Sequence, residues 1–420
     1  MDNKRFVLLC QHFYPEMVST GMHMTELAER LAELGWQITV YCARPSWGAE
    51  AEPADQILHY KDIEIIRVNT LGDQKKSLLS RALFALSFLW SVGLLLWRQR
   101  QQFPAVVVTT NPPFLGLVSW LFSKLFHLPY LLIVYDIYPE IAVNLGVLSP
   151  RSPITKIWRQ VTHLIFRNAA VLVVIGRDME RIVRQKIPPY LHHRITRIPN
   201  WSDEKRVRPI PKHQNGFRHQ QGINNVFVVQ YAGRMGRTHN LEPIIEAARD
   251  LCTEKILFQF VGDGAKKQTL QQLVAQHNLT NVQFLAYQPM ECLSEMLSAA
   301  DLALVCLDEA FTGLSVPSKS YGIMASGTPI LGFVQPDSEI GQMITEEACG
   351  LVLPNPTAEQ ISQTLRSLIH NTTTLEAMSA AGHQAFLNKY TLTHAAAAYD
   401  TALTRMVAGL SPTFEVEALS

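Results

Sequence analysis

The chain lacks an excess of either charge: Lys and Arg number 37, Asp and Glu 36, and charged residues make up only 17% of 420. That balance offers no polybasic surface for nucleic acid. Cysteine is scarce. The six present, Cys10, Cys42, Cys252, Cys292, Cys306 and Cys349, form no CxxC and mostly sit in or beside apolar runs, as buried thiols of a reducing compartment do, so a cytoplasmic location is expected. No DxD triplet occurs, and no His, Cys or carboxylate cluster has metal-ligand spacing; the chemistry is expected to need no metal. The first apolar stretch, Arg5 to Cys10, is too short for a secretory signal and lacks a small-residue cleavage site, so it reads as a first strand.

Apolar residues, by contrast, are plentiful at 47%, and the length suits two cores at roughly 100 to 200 residues each. Apolar runs at Phe6 to Cys10, Ile38 to Cys42, Ile63 to Val68, Ala105 to Thr109, Leu131 to Tyr135 and Val171 to Ile175 predict strands. Between them lie helical patterns such as Met24, Leu27, Ala28 and Leu31, so the expected class is α/β, with a parallel sheet covered on both faces. The polar, basic stretch Ser202 to Asn225, with Pro209, Pro211 and Gly216, predicts a linker. A second set of strands follows at Val226 to Tyr231, Ile256 to Val261, Val282 to Leu285, Leu302 to Cys306, Ile330 to Phe333 and Leu351 to Leu353. The expected domains are 1–201 and 202–393, with a helix and tail over 394–420.

Ala82 to Trp97 is sixteen residues without a formal charge, short of the about 20 that a bilayer span needs. Within 79–100, Phe84, Phe88, Trp90 and Trp97 offer bulky apolar surface, and Arg81, Arg98 and Arg100, with Lys75 and Lys76 upstream, offer cations at both ends. This pattern suits a helix lying in the headgroup boundary, and Arg81, Phe84, Phe88, Trp90, Trp97 and Arg98 are the expected membrane contacts. A buried helix on the sheet is the plain alternative.

Three loops of the second half fall just beyond strands, where parallel sheets bind ligands. In the first, Gly233 and Gly236 let the backbone approach an anion, while Arg234 and Arg237 offer guanidinium donors to phosphate oxygens. The second is Gly262-Asp263-Gly264, a tight turn with little bulk above a nucleotide. In the third, Pro317 fits a helix start, Ser315 or Ser318 can bond free amides, and Lys319 stands nearby. A diphosphate is the ligand such a loop would hold. A capped surface helix with a solvated lysine is the alternative.

These motifs, in their order and spacing, resemble the family 4 glycosyltransferases: Gly233-Arg234, Gly262-Asp263-Gly264, Ser315-Val316-Pro317-Ser318-Lys319 with Ala325 to Pro329, and Ala348 to Leu353. Phe13-Tyr14-Pro15, Gly21, Leu31 to Gly35, Tyr135 to Pro139 and Ile198 to Asp203 extend the likeness through the first half. The combination looks most like the branch that adds fucose or N-acetylfucosamine-type sugars in bacterial colanic acid, O-antigen and capsule assembly.

The resemblance implies the GT-B fold, two doubly wound Rossmann-like domains facing across a cleft, with the final helix crossing back to the first domain. It implies a retaining transfer from a UDP- or GDP-sugar without an enzyme nucleophile; no cofactor is expected, and if the apolar segment docks on the inner face of the plasma membrane, a polyprenyl-diphosphate-linked glycan is the expected acceptor. Arg234, Arg237, Lys319 and Asp136 are then the catalytic candidates. Gly233, Gly236, His239, Gly262, Asp263, Gly264, Tyr287, Ser315, Val316, Pro317 and Ser318 would contact the donor. Gly21, His23 and Asn111 would lie on the acceptor side. The chain also departs from the family: Leu314 and Gly322 stand where many members carry two glutamates, His239 lies near the position of a usual lysine, and Tyr135-Asp136 replaces His-Asp. Two other readings follow: a GT-B nucleotide-sugar epimerase, and a non-catalytic scaffold that binds nucleotide or lipid.

Overall fold

The computed structural model describes residues 4–16, 18–45, 57–72 and 77–410. It divides into two compact units, one of Met1–Pro199 with Leu392–Ser420 and one of Asn200–Thr391. Each division falls two residues before the boundary expected from sequence.

The first unit holds β1 (Arg5–Leu9), β2 (Gln37–Cys42), β3 (Ile57–Tyr60), β4 (Ile63–Arg67), β5 (Val106–Thr109), β6 (Tyr130–Val134), β7 (Val171–Val174) and β8 (Ile195–Arg197). They form one sheet in the order β3-β4-β2-β1-β5-β6-β7-β8, parallel except where β3 pairs antiparallel with β4 at the edge. Every residue of β5, β6 and β7 is buried, so both sheet faces must be covered, and the runs are continuously apolar rather than alternating. The two edge strands β3 and β8 have no such run; one is half exposed and the other three residues long. That is why periodicity passes over them.

Helix α1 (Ser19–Glu33) buries Met24, Leu27, Ala28 and Leu31. The C-terminal helix, Leu392–Val407, packs on α1 and buries Ala396, Tyr399, Ala402, Leu403 and Met406. Its Asp400 accepts hydrogen bonds from Trp36 Nε1 at 2.7 Å and Lys4 Nζ at 3.0 Å.

Helix α2 (Leu78–Gln99) is capped by Ser77 and crosses α3 (Leu115–Phe126). Phe84, Phe88, Val92 and Leu96, spaced four apart, form its buried stripe. Leu79, Leu83, Leu86, Trp90, Leu94 and Trp97 are exposed. The expectation that Phe84 and Phe88 touch lipid is therefore corrected: both rings face the protein core, where they stack with centroids 6.2 Å apart. Arg81 and Arg98 are exposed as expected, and Lys75 and Lys76 lie outside the described residues.

The second unit holds β9 (Phe227–Ala232), β10 (Ile256–Val261), β11 (Val282–Leu285), β12 (Leu302–Cys306), β13 (Ile330–Phe333) and β14 (Gly350–Val352). All pair in parallel, in the order β11-β10-β9-β12-β13-β14. The order reverses between β9 and β12, and such a switch point opens a crevice at the carboxyl ends of the strands. The stretch expected as a linker is instead packed into this unit. Arg218, 3% exposed, donates to the carbonyls of Ala299, Ile223 and Val226 and pairs with Asp301. A guanidinium with enough acceptors can be buried, and composition alone makes it look solvated.

Candidate active site

Gly233 follows β9 with φ +124°, and Gly262 follows β10 with φ +134°. A Cβ at Gly262 would stand 2.2 Å from the Gly233 carbonyl oxygen, and one at Gly264 2.4 Å from that of Met235, so only glycine fits either place. Backbone bonds stitch the two loops together: the N–H groups of Gly233 and Met235 donate to the Val261 and Asp263 carbonyls, each at 2.8 Å.

Tyr231 lies under this pair, fully buried near the end of β9. Its hydroxyl donates to the Arg234 carbonyl at 2.7 Å. Nδ1 of His239 is 2.9 Å from that hydroxyl and 3.0 Å from the same carbonyl. Above the ring, 3.6 Å from its centre, sits the Nζ of Lys319. This ammonium is buried and has no hydrogen-bond partner among the described residues. Burial lowers Lys319 to about 8, and burial together with the Lys319 charge lowers His239 to about 3. One is a poised cation and the other a neutral imidazole.

Arg234 and Arg237, on the loop after β9, are exposed, and neither guanidinium forms an ion pair among the described residues. Tyr287, 58% exposed after β11, would meet a Cβ at Gly262 at 3.4 Å. The structure thus brings Gly233, Arg234, Gly262, Asp263, Gly264, Tyr287, His239 and Lys319 to the switch point.

The third loop differs from the expectation. The helix is Lys319–Ala325, beginning two residues after Pro317, and Ser318 stands at its N-cap without a side-chain cap bond. Proline has no N–H, and Ser320 instead donates its hydroxyl to the Pro317 carbonyl at 2.9 Å, closing a tight turn before the helix. Val316 is buried, and Ser315 bonds none of the freed amides among the described residues. Leu314 is buried, and a Cβ at Gly322 would meet Leu297 at 3.5 Å.

In the first unit, Asp136 follows β6. Its N–H and that of Tyr135 donate to Thr110 Oγ1, each at 3.1 Å, which draws the β6 loop onto the β5 loop carrying Asn111. Burial raises its carboxyl to about 6. The carboxylate borders a cavity of about 30 Å³ lined by Phe114, Tyr138 and Trp158. That is room for about two waters. Gly21 is packed against His12, where a Cβ would stand 3.1 Å from the histidine Cβ. Nδ1 of His23 lies 2.7 Å from the Ser19 carbonyl of its own helix. A buried pair, His12 Nδ1 and Glu16 Oε2 at 2.7 Å, was not singled out from sequence. It flanks Phe13-Tyr14-Pro15, and the four-residue spacing was the available signal.

Two Rossmann-like units, the second with glycine loops and cations at its switch point, define a GT-B glycosyltransferase. Residues 20–201 match the glycosyl transferase 4-like domain, and 214–385 match glycosyl transferases group 1. WbjE of Pseudomonas aeruginosa, named as a glycosyltransferase, is 33% identical over 282 residues, covering 67% of this chain and 70% of its own. WcaI of Escherichia coli K12, named for glycosyl transfer in colanic acid biosynthesis, is 26% identical over 343 residues, 79% and 84% of the two chains. The structure of HepE from Anabaena in complex with UDP-glucose superimposes with a TM-score of 0.72 at 14% identity, covering 95% and 99%. The chain belongs to the family 4, group 1 glycosyltransferases.

Proposed function

We propose that the protein moves a hexose-type sugar, of the deoxysugar class, from a UDP- or GDP-linked donor to a polyprenyl-diphosphate-linked glycan, with retention, during bacterial surface-polysaccharide assembly. The observation that carries this reading is the buried Lys319 ammonium, without a hydrogen-bond partner among the described residues, at a glycine-lined switch point. Charge develops on the diphosphate as the glycosidic bond breaks. Donors that tighten on it in the transition state lower the barrier. Lys319, Arg234 and Arg237 supply three positive charges for this, a role that a metal ion fills in other transferases. HepE, in complex with UDP-glucose, supports a UDP donor, and the name of WcaI supports polysaccharide assembly.

The acceptor reading rests on α2 and α3. The exposed face of α2 is joined by Leu121, Leu125 and Phe126 of α3. Neither helix contains an acidic residue; Arg81 and Arg98 of α2, Lys124 of α3 and Arg100 just after α2 are their cations. The Arg100 guanidinium lies over Trp97 at 5.4 Å and over Phe126 at 4.8 Å. By length and composition this helix could cross a membrane. Its stripe of four buried side chains instead suits a helix lying in the interface plane, on the cytoplasmic side where anionic headgroups are found.

Purified protein supplied with UDP- and GDP-sugars and a prenyl-linked acceptor tests the reading. Lys319→Ala and Arg234→Ala are each expected to lower acceptor-dependent turnover about 10²- to 10³-fold. Wild-type turnover in both would remove the phosphate assignment. An epimer formed from labelled donor without acceptor points to an epimerase instead. Donor binding without any turnover points to the scaffold that Leu314 and Gly322 suggest.

A further inference from the structure

Tyr231 is conspicuous in the donor site because each part of its side chain is engaged by something different. Behind it, Phe260 stands opposite in the β10 register with centroids 6.0 Å apart, and Phe284 of β11 stacks on Phe260 at 5.2 Å. This aromatic row fixes the plane of the tyrosine ring. Over the ring sits the Lys319 ammonium, and the hydroxyl holds the Arg234 carbonyl. A desolvated cation over an aromatic face is attracted by the negative charge of the ring's π face. The same ammonium buried over an aliphatic side chain would keep no compensating contact.

We propose that Tyr231 is a positioning residue for the donor diphosphate: its ring face sets the place of the Lys319 ammonium, and its hydroxyl sets the path of the Gly233–Gly236 loop that carries Arg234. The inference rests on the donor-site reading above and adds a residue that never touches the phosphates. Two further contacts support it. A Cβ at Gly233 would stand 3.3 Å from Nζ, so the glycine keeps open the place into which the ring directs the lysine. His239 Nδ1 lies 3.0 Å from the same Arg234 carbonyl, and burial together with the Lys319 charge keeps its ring neutral beside the ammonium. One side chain therefore fixes two cations that arrive from different elements, the β9 loop and the helix Lys319–Ala325.

The test separates ring from hydroxyl in the full-length protein. With ¹³C-labelled lysine, the Lys319 Cε resonance, assigned by its loss in Lys319→Arg, is expected to carry an upfield ring-current shift in wild type and in Tyr231→Phe. Tyr231→Leu is expected to abolish the shift, to move the pH midpoint of that resonance down by about one unit, and to weaken UDP binding about tenfold or more. Tyr231→Phe should keep the wild-type midpoint and lower kcat about tenfold with little change in KM, because only the Arg234 loop is loosened. An unshifted wild-type Cε resonance overturns the proposal. So does a common midpoint in wild type and Tyr231→Leu. If Tyr231→Leu does not fold, the ring-current shift in wild type and Tyr231→Phe still decides. The resonance is read without nucleotide, so a failure of the donor reading, seen as no UDP binding at all, is distinct from a failure of this one.

Discussion

Lys319 is costly to the empty protein. Its ammonium is taken out of water with no acceptor among the described residues, and burial lowers it from 10.5 to about 8. Between those values the unfolded chain binds the proton and the folded chain sheds it, so folded stability rises with pH there; below about pH 8 the penalty is present in full. Lys319→Met is therefore expected to stabilise the ligand-free protein at pH 7 by about 1 to 3 kcal/mol, a gain that fades between pH 8 and pH 10.5, measured by urea unfolding across that range. Binding carries the opposite trend. UDP affinity should fall by up to about tenfold per pH unit above pH 8 in wild type and stay flat in Lys319→Met, as calorimetry would show. A wild-type affinity flat through pH 10 would mean that the ammonium does not meet the phosphates. The glycines and arginines of this site were legible in sequence because their residue types are unusual between a strand and a helix. Tyr231 was not, because an aromatic in an apolar strand reads as core; only the approach of residue 319 to residue 231 in the fold gives it a second role.

At the scale of elements, α2 poses the sharpest choice. Phe, Leu and Trp occupy every side of it, so the segment was legible as apolar while its faces were not. What orients it is a pair of serines. Ser87 Oγ accepts from the Leu71 N–H at 2.8 Å, and Ser91 Oγ donates to the Asn69 carbonyl at 2.9 Å, which ties the helix to the segment after β4. These bonds, with the stripe from Phe84 to Leu96, turn Trp90 outward to 76% exposure. Phe88→Ala is expected to cost about 3 to 5 kcal/mol of stability and to leave liposome binding per folded molecule unchanged. Leu86→Ser with Trp90→Ser should do the reverse: a melting temperature within a few degrees of wild type and at least a fivefold loss of co-sedimentation with anionic liposomes, since roughly 1.5 to 3 kcal/mol of apolar burial goes with each side chain. Undiminished co-sedimentation of the double variant would defeat the membrane reading.

For the molecule as a whole, the central parallel strands were legible because buried strands must be continuously apolar, and the core of each sheet follows from that, while the edge strands β3 and β8 do not. The destination of the chain's end was not legible in periodicity; only the family resemblance implied its return to the first unit, where the structure has it. An alanine-rich amphipathic helix announces that it packs, and nothing in its period says against which sheet. In the structure it belongs to the first unit, placing Tyr399, Leu403 and Met406 against α1 and holding Trp36 and Lys4 through Asp400. Burying three such side chains contributes on the order of 5 to 8 kcal/mol, comparable with the whole stability of an ordinary domain. A chain ended at Thr391 should therefore lose cooperative unfolding of the first unit, while the second keeps all six strands, both glycine loops and Lys319. Limited proteolysis is expected to digest residues before Asn200 and to leave a resistant fragment that begins near Asn200 and still binds UDP. If the truncated protein instead lost UDP binding along with the first unit, Asn200–Thr391 would not be an independent folding unit, and the donor site would depend on a helix it does not contain.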